Sequence, residues 1–237
     1  MPKVFGKEHL IYIAASLIVA ALCIYINKKF ATTEKRKLIA VKLAAAILYL
    51  IIFSNRLTLV FEHGLVNWKM MIPDTFCCMS SYLLSIFVLF GRKNNNVLHF
   101  IWLLAFVGGT ITTFYPDFIG QNPSFWYPPT LLGMMHHTWA AILVILILMN
   151  GFLTLTYKKW YCTPIGFAAF LSYGAFLICV LGFENPFYMT APVFAGTFLT
   201  VWGIAPIYLA VYPLILLAVE LIRKHRASRL GEDTKGK

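Results

Sequence analysis

Charge is scarce in this chain, and negative charge scarcer still. Of its 237 residues only 12% are charged, with 9 Asp or Glu against 20 Lys or Arg, for a formal net charge of +11. An ordinary soluble domain carries about 25% charged residues, so a self-contained soluble fold is excluded. Cysteines in paired extracellular spacing are also missing. The five present, Cys23, Cys77, Cys78, Cys162 and Cys179, lie in or beside apolar stretches, which excludes a disulfide scaffold. No internal repeat, low-complexity tract or linker breaks the chain. What remains is apolar: 60% hydrophobic residues and a mean hydropathy of +0.76.

That apolar material falls into seven runs: Leu10–Ile26, Ile39–Phe61, Thr75–Phe90, Val97–Phe114, Leu131–Leu153, Pro164–Phe183 and Thr197–Ile222. A helix needs about 20 mostly apolar residues to cross a hydrocarbon core. The runs therefore predict an all-α, polytopic bundle of seven transmembrane helices. We expect one membrane domain over 1–226 and a disordered polar tail over 227–237. Lys3 and Lys7 before the first run imitate a signal peptide, but Leu22 stands where cleavage demands a small residue. Lys28 and Lys29 follow at once, so the run stays as a span.

Basic residues alternate between the loops. Lys28, Lys29, Lys35, Arg36 and Lys37 lie between spans one and two, Arg92 and Lys93 between three and four, and Lys158 and Lys159 between five and six. The tail adds Arg223, Lys224, Arg226, Arg229, Lys235 and Lys237. Cytoplasmic loops are rich in Lys and Arg, which predicts the N-terminus outside and the C-terminus inside. This bias, with attraction to anionic head groups, accounts for the net charge without a nucleic-acid partner.

With orientation set, the polar residues of the spans sort by depth. Arg56 lies near the outer end of span two, Cys77 and Cys78 in the first turn of span three, and His136 and His137 near the outer end of span five. Asp117, Glu184, Asn185 and Tyr188 belong to the outer loops, while the inner layer holds His99 and loop lysines. Polar groups in spans are costly, so each is a functional candidate. The plainer alternatives are a small apolar Cys, a His bonded to a neighbouring helix and a snorkelling Arg. The outer loops Tyr115–Asp117, Asn122–Pro129 and Glu184–Met189 are rich in Pro and aromatics. Such loops serve as interfacial belts or fold back over the bundle. A thiol and an imidazole at one depth suit nucleophilic catalysis, because the imidazole can take the thiol proton.

Several short motifs occur in a telling order. Phe5-Gly6-Lys7-Glu8-His9-Leu10 opens span one, Pro73-Asp74-Thr75-Phe76-Cys77-Cys78-Met79-Ser80 opens span three, and Tyr115-Pro116-Asp117 closes span four. His136-His137-Thr138 lies in span five, Asn185-Pro186-Phe187-Tyr188-Met189 follows span six, and Gly203-Ile204-Ala205-Pro206-Ile207-Tyr208 lies in span seven. In these features the chain resembles the YwaF-type integral membrane proteins of bacteria, which have an animal relative acting as a transmembrane phospholipid acyltransferase. Two positions depart: Thr75 stands where that family has His, and Thr138 where it has Gly.

The resemblance implies a Cys77 nucleophile paired with His137, in a multi-pass protein of the bacterial cytoplasmic membrane. The expected function is a phospholipid acyltransferase or lipase-like enzyme without acyl-CoA, cofactor or metal. Its partners are the bilayer and a phospholipid or lysophospholipid. Arg56 is then expected to hold the lipid phosphate, Asp117 or Asn185 to orient the imidazole, and His136 and Tyr188 to support the site. Adjacent helical residues point about 100° apart, so one of Cys77 and Cys78 should face the polar layer; Cys77 shares a face with Ser81, and Cys78 with Tyr82. Two other readings compete. A seven-span zinc lipid hydrolase would use His9, His63, His136 and His137, though the last span lacks a His-x-x-x-His pair. A transporter or lipid-binding scaffold would use Gly108-Gly109, Pro206 and Pro213 as kinks. Oligomeric state carries no signal in the residues.

Overall fold

The computed structural model describes residues 2–63, 65–116, 118–119, 123–194 and 196–233, with side chains except at 63, 65, 66 and 227–233. Every regular element among them is helical, and the helical bundle expected for a polytopic membrane protein is what forms. Six helices are long and apolar enough to cross a membrane. The seventh, Phe76–Leu89, has only 14 residues, about 21 Å at the helical rise, against a core of about 30 Å. Its brevity is written locally. The Thr75 side chain caps the start by accepting from the Cys78 amide at 3.3 Å. At the other end a Cβ on Gly91 would stand 2.4 Å from the Phe87 carbonyl.

The chain divides into two compact units, 1–153 and 154–237. The first unit holds α1 (Lys7–Phe30), α2 (Glu34–His63), a 3-10 segment (Leu65–Met71), α3 (Phe76–Leu89), α4 (Asn96–Phe114) and α5 (Pro128–Met149). Helices α2, α3, α4 and α5 pack in a ring, each against the next and α5 back against α2. Leu48, Ile52, Leu84, Leu98, Ile101 and Leu143 are fully buried in it. Tyr49 meets Tyr82 edge-on across α2 and α3, and Trp139 donates to the Ala44 carbonyl at 2.7 Å, fastening α5 to α2. α1 leans on the outside of this ring with most of its surface uncovered.

Two polar seams hold α1. Near its start, His9 Nδ1 accepts from the Phe5 amide and Nε2 reaches the Thr113 carbonyl at 3.1 Å. Near its end, the amides of Asn27 and Asn150 bond reciprocally, at 2.9 and 3.3 Å. This buried amide pair corrects the expectation that the inner layer holds only His99 and lysines. Asn150 also ends α5, and Gly151 follows with φ +64°, the left-handed turn that glycine adopts without a Cβ clash.

The second unit holds α6 (Cys162–Cys179), a 3-10 turn (Pro186–Tyr188) and α7 (Val201–Asp233). Phe167 meets Tyr208 edge-on, fixing α6 on α7. α7 contains Pro206 and Pro213. It continues as helix through 227–233, a stretch whose polar composition suggested disorder, because the helix simply extends beyond its apolar part. Residues 234–237 lie outside the described residues.

Candidate active site

Arg56 is the hub of the buried polar cluster in the first unit. It projects from α2 with its side chain 11% exposed. Nε donates to Cys78 Sγ at 3.0 Å, Nη2 to Asp74 Oδ1 at 3.3 Å and Nη1 to the Met70 carbonyl at 3.4 Å. A buried guanidinium needs such partners, since an unpaired charge there is strongly destabilising. The turn before α3 supplies two of the three, so the 3-10 segment and the cap at Thr75 exist partly to meet Arg56. The guanidinium thus bonds three protein groups.

The two cysteines separate as helical geometry requires. Cys78 is buried and faces Arg56, with Tyr82 on the same side. Cys77 turns toward α4, where a Cβ on Gly108 would stand 2.9 Å from its sulfur. The thiol beside the guanidinium is therefore that of Cys78, which sequence reasoning set aside as packing. Its signal was present in the Arg56–Cys78 depth match, but only packing reveals which cysteine α3 turns to α2.

The next glycine serves the other partner. A Cβ on Gly109 would stand 2.5 Å from the His137 carbonyl. These two glycines let α4 close on α3 and α5 together, the small-residue packing common between membrane helices. Cys77 and His137 thus lie on helices that both pack closely against α4, at successive residues. Close packing accounts for the glycine pair without a kink.

On α5, the rings of His136 and His137 lie 3.9 Å apart between centroids, tilted by 35°. Both residues are buried, and Arg56 is within electrostatic reach of both. Phe118, in the loop before α5, approaches the His137 ring at 6.4 Å. For His136 neither ring nitrogen makes a well-formed hydrogen bond, although the Leu132 carbonyl lies one turn back. Leaving such a buried group unpaired costs about 1–3 kcal/mol. Thr130 Oγ1 on the same helix is also buried without a partner.

Thr138, the next residue, is fully engaged. Its hydroxyl meets Tyr12 at 2.8 Å and Thr113 at 3.0 Å, and Thr113 also bonds the Gly109 carbonyl at 2.8 Å. The departure from glycine at this position therefore installs the centre of a hydroxyl seam joining α1, α4 and α5. His9 closes the same seam with both ring nitrogens, so it is committed to structure. Among the described residues no three His, Cys, Asp or Glu side chains converge as a metal site requires.

The aromatic loop before α5 divides between both expected roles. Phe125 and Ile119 are fully buried against Met134, near the end of the ring where α5 begins, whereas Trp126 is 60% exposed. Asn55, unnoticed in the sequence, donates to the Pro129 carbonyl at 3.0 Å and ties this entrance to α2. Asp117 lies outside the described residues.

Asn185 and Tyr188 belong to the second unit. Asn185 Oδ1 accepts from Thr190 and Ala191 amides, each at 3.0 Å, and its Nδ2 donates to the Ala191 carbonyl at 3.1 Å. Its amide is thus committed to its own loop. Phe187 is fully buried against Phe170 and Tyr173, although it and Tyr188 carry positive φ, 52° and 56°. The loop accepts that backbone strain, costly for non-glycine residues, to seat Phe187 on α6 where Gly174 leaves room.

Residues 4–222 match the sequence model of the TMEM164 family. No curated protein and no solved structure matches the chain.

Proposed function

The chain belongs to the TMEM164 family of membrane proteins, and from that premise we propose a phospholipid acyltransferase or lipase-like enzyme embedded in the bilayer. The observation that carries this reading is the adjacent pair Gly108 and Gly109, which lets α4 close on the Cys77 sulfur and on the backbone of His137. In this reading a lipid enters sideways with its ester near the outer interface. His137 takes the Cys77 proton, the sulfur attacks the acyl carbonyl, and the glycerol oxygen leaves with that proton. The resulting thioester passes its acyl group to a lysolipid hydroxyl or to water. No acyl-CoA, cofactor or metal enters the scheme. The YwaF-type resemblance supports the residue pair and a bacterial cytoplasmic membrane, with the N-terminus outside and the C-terminus inside. Arg56 acts mainly by fixing the start of α3, and Asp117, Asn185 and Tyr188 remain candidate supports.

A second reading concerns the nucleophile alone. Cys78 is the thiol bonded to Arg56, and a guanidinium offsets charge on a sulfur. The test is mass spectrometry of the purified protein in labelled phosphatidylcholine vesicles, seeking a hydroxylamine-sensitive acyl adduct. An adduct on Cys77 that vanishes in Cys77→Ser supports the first reading. An adduct on Cys78 transfers the role to that residue, and a folded protein without any adduct or lipid turnover overturns the enzyme.

A further inference from the structure

Acyl transfer through a thioester moves two protons, one from the thiol and one from the accepting hydroxyl. We propose that this protein divides them between two imidazoles, with His136 as the base for the accepting hydroxyl. The inference rests on the thioester reading above and adds to it a second catalytic residue.

Three observations lead there. The His136 ring is buried and its nitrogens lack well-formed hydrogen bonds. It lies against His137 at 3.9 Å, so a group reaching one ring is beside the other. Its neighbour Thr138, by contrast, is bound into a satisfied seam. Buried polar groups are paired as a rule, so an incompletely paired ring calls for an explanation, and a catalytic role is one.

The chemistry selects a hydroxyl. A neutral imidazole has one donor nitrogen and one acceptor nitrogen. A proton on the nitrogen nearer the Leu132 carbonyl leaves the other with its lone pair free. A hydroxyl donates to that lone pair, loses its proton to it and attacks the thioester carbonyl. The new C–O bond forms as the C–S bond breaks. The departing thiolate then receives the proton from His136, and both groups return to their starting states.

The test uses the full chain in vesicles of phosphatidylcholine with a labelled acyl group, with and without a lysophospholipid. Thioester, transferred product and free fatty acid are followed over one turnover for wild type, His136→Gln and His137→Gln. In His136→Gln, the thioester is expected to form and persist while its discharge slows about 10²-fold or more. In His137→Gln, formation itself is expected to fail. Label in the lysolipid product identifies an alcohol acceptor, and label in free fatty acid identifies water; slowed discharge to either supports the base role. Normal discharge in folded His136→Gln overturns it, as does loss of thioester formation equal to that of His137→Gln. His136→Ser, smaller and judged by the same criteria, replaces His136→Gln if the latter does not fold. A wild type that never forms thioester removes the underlying enzyme reading, a result distinct from normal discharge in the variant.

Discussion

Residues 136 to 138 compare two ways of burying polarity in one helix. Thr138 joins a seam with Tyr12, Thr113 and, through Thr113, His9, in which each bond has a short, local partner. One and two residues earlier, two imidazoles lie tilted against each other, and His136 is left incomplete. The first arrangement fastens α1 to the ring. The second holds polarity that the folded chain does not use for itself. A seam of satisfied hydroxyls is what stability alone favours; incompleteness beside a thiol-bearing helix turn is what chemistry would need.

Substitutions on the two sides should therefore behave differently. The largest effect is expected for Cys77→Ser, because a serine hydroxyl ionises far less readily than a thiol. Acyl-adduct formation should fall by about 10³-fold or more while the unfolding temperature in detergent holds. Retained adduct formation on residue 77's helix turn would move the nucleophile away from Cys77. Next comes Arg56→Leu, which strands Asp74 and releases three bonds around the start of α3. Asp74 is 34% exposed, so the expected loss is discounted to about 2–3 kcal/mol from the fully buried case. Equilibrium unfolding in detergent reads it, and an unchanged midpoint would show that Arg56 is not the organiser of that turn.

Gly109→Ala probes the close approach of α4 to α5 at His137. The added methyl would meet the His137 backbone, so α4 and α5 must separate, at about 1–3 kcal/mol. A cysteine at 77 labelled from the lipid side should become more reactive as the helices part. Thr138→Val and Tyr12→Phe test the satisfied side: each should lose about 1 kcal/mol of stability and leave acyl transfer within about twofold. Activity falling by orders of magnitude in either variant would erase the distinction between the seam and the site. The smallest effect is expected for Cys78→Ser, whose hydroxyl can still accept from Arg56; loss of adduct there, with Cys77→Ser active, would assign the nucleophile to Cys78.

Much of this was legible without coordinates. The apolar runs determined the helical class, because a bilayer accepts a backbone only when its hydrogen bonds close within helices or closed barrels. The gathering of Arg56, Cys77, Cys78, His136 and His137 near one level followed from counting residues along helices of constant rise. Facing was another matter. Depth along a helix follows from sequence position, whereas the azimuth of each helix in the ring depends on all its neighbours. Thus Cys78 rather than Cys77 meets Arg56, and Gly108 and Gly109 serve as close-packing contacts with α3 and α5. Asn27 and Asn150 are separated by more than a hundred residues, so their pairing left no local mark. The short α3 is intermediate: Pro73, Thr75 and Gly91 announce its limits, and its apolar run Thr75–Phe90 nonetheless reads as a span. Composition and periodicity decided what this chain can bury and where along each helix its chemistry sits. Only tertiary packing decided which side chains face one another, because those contacts arise between segments whose sequences do not refer to each other.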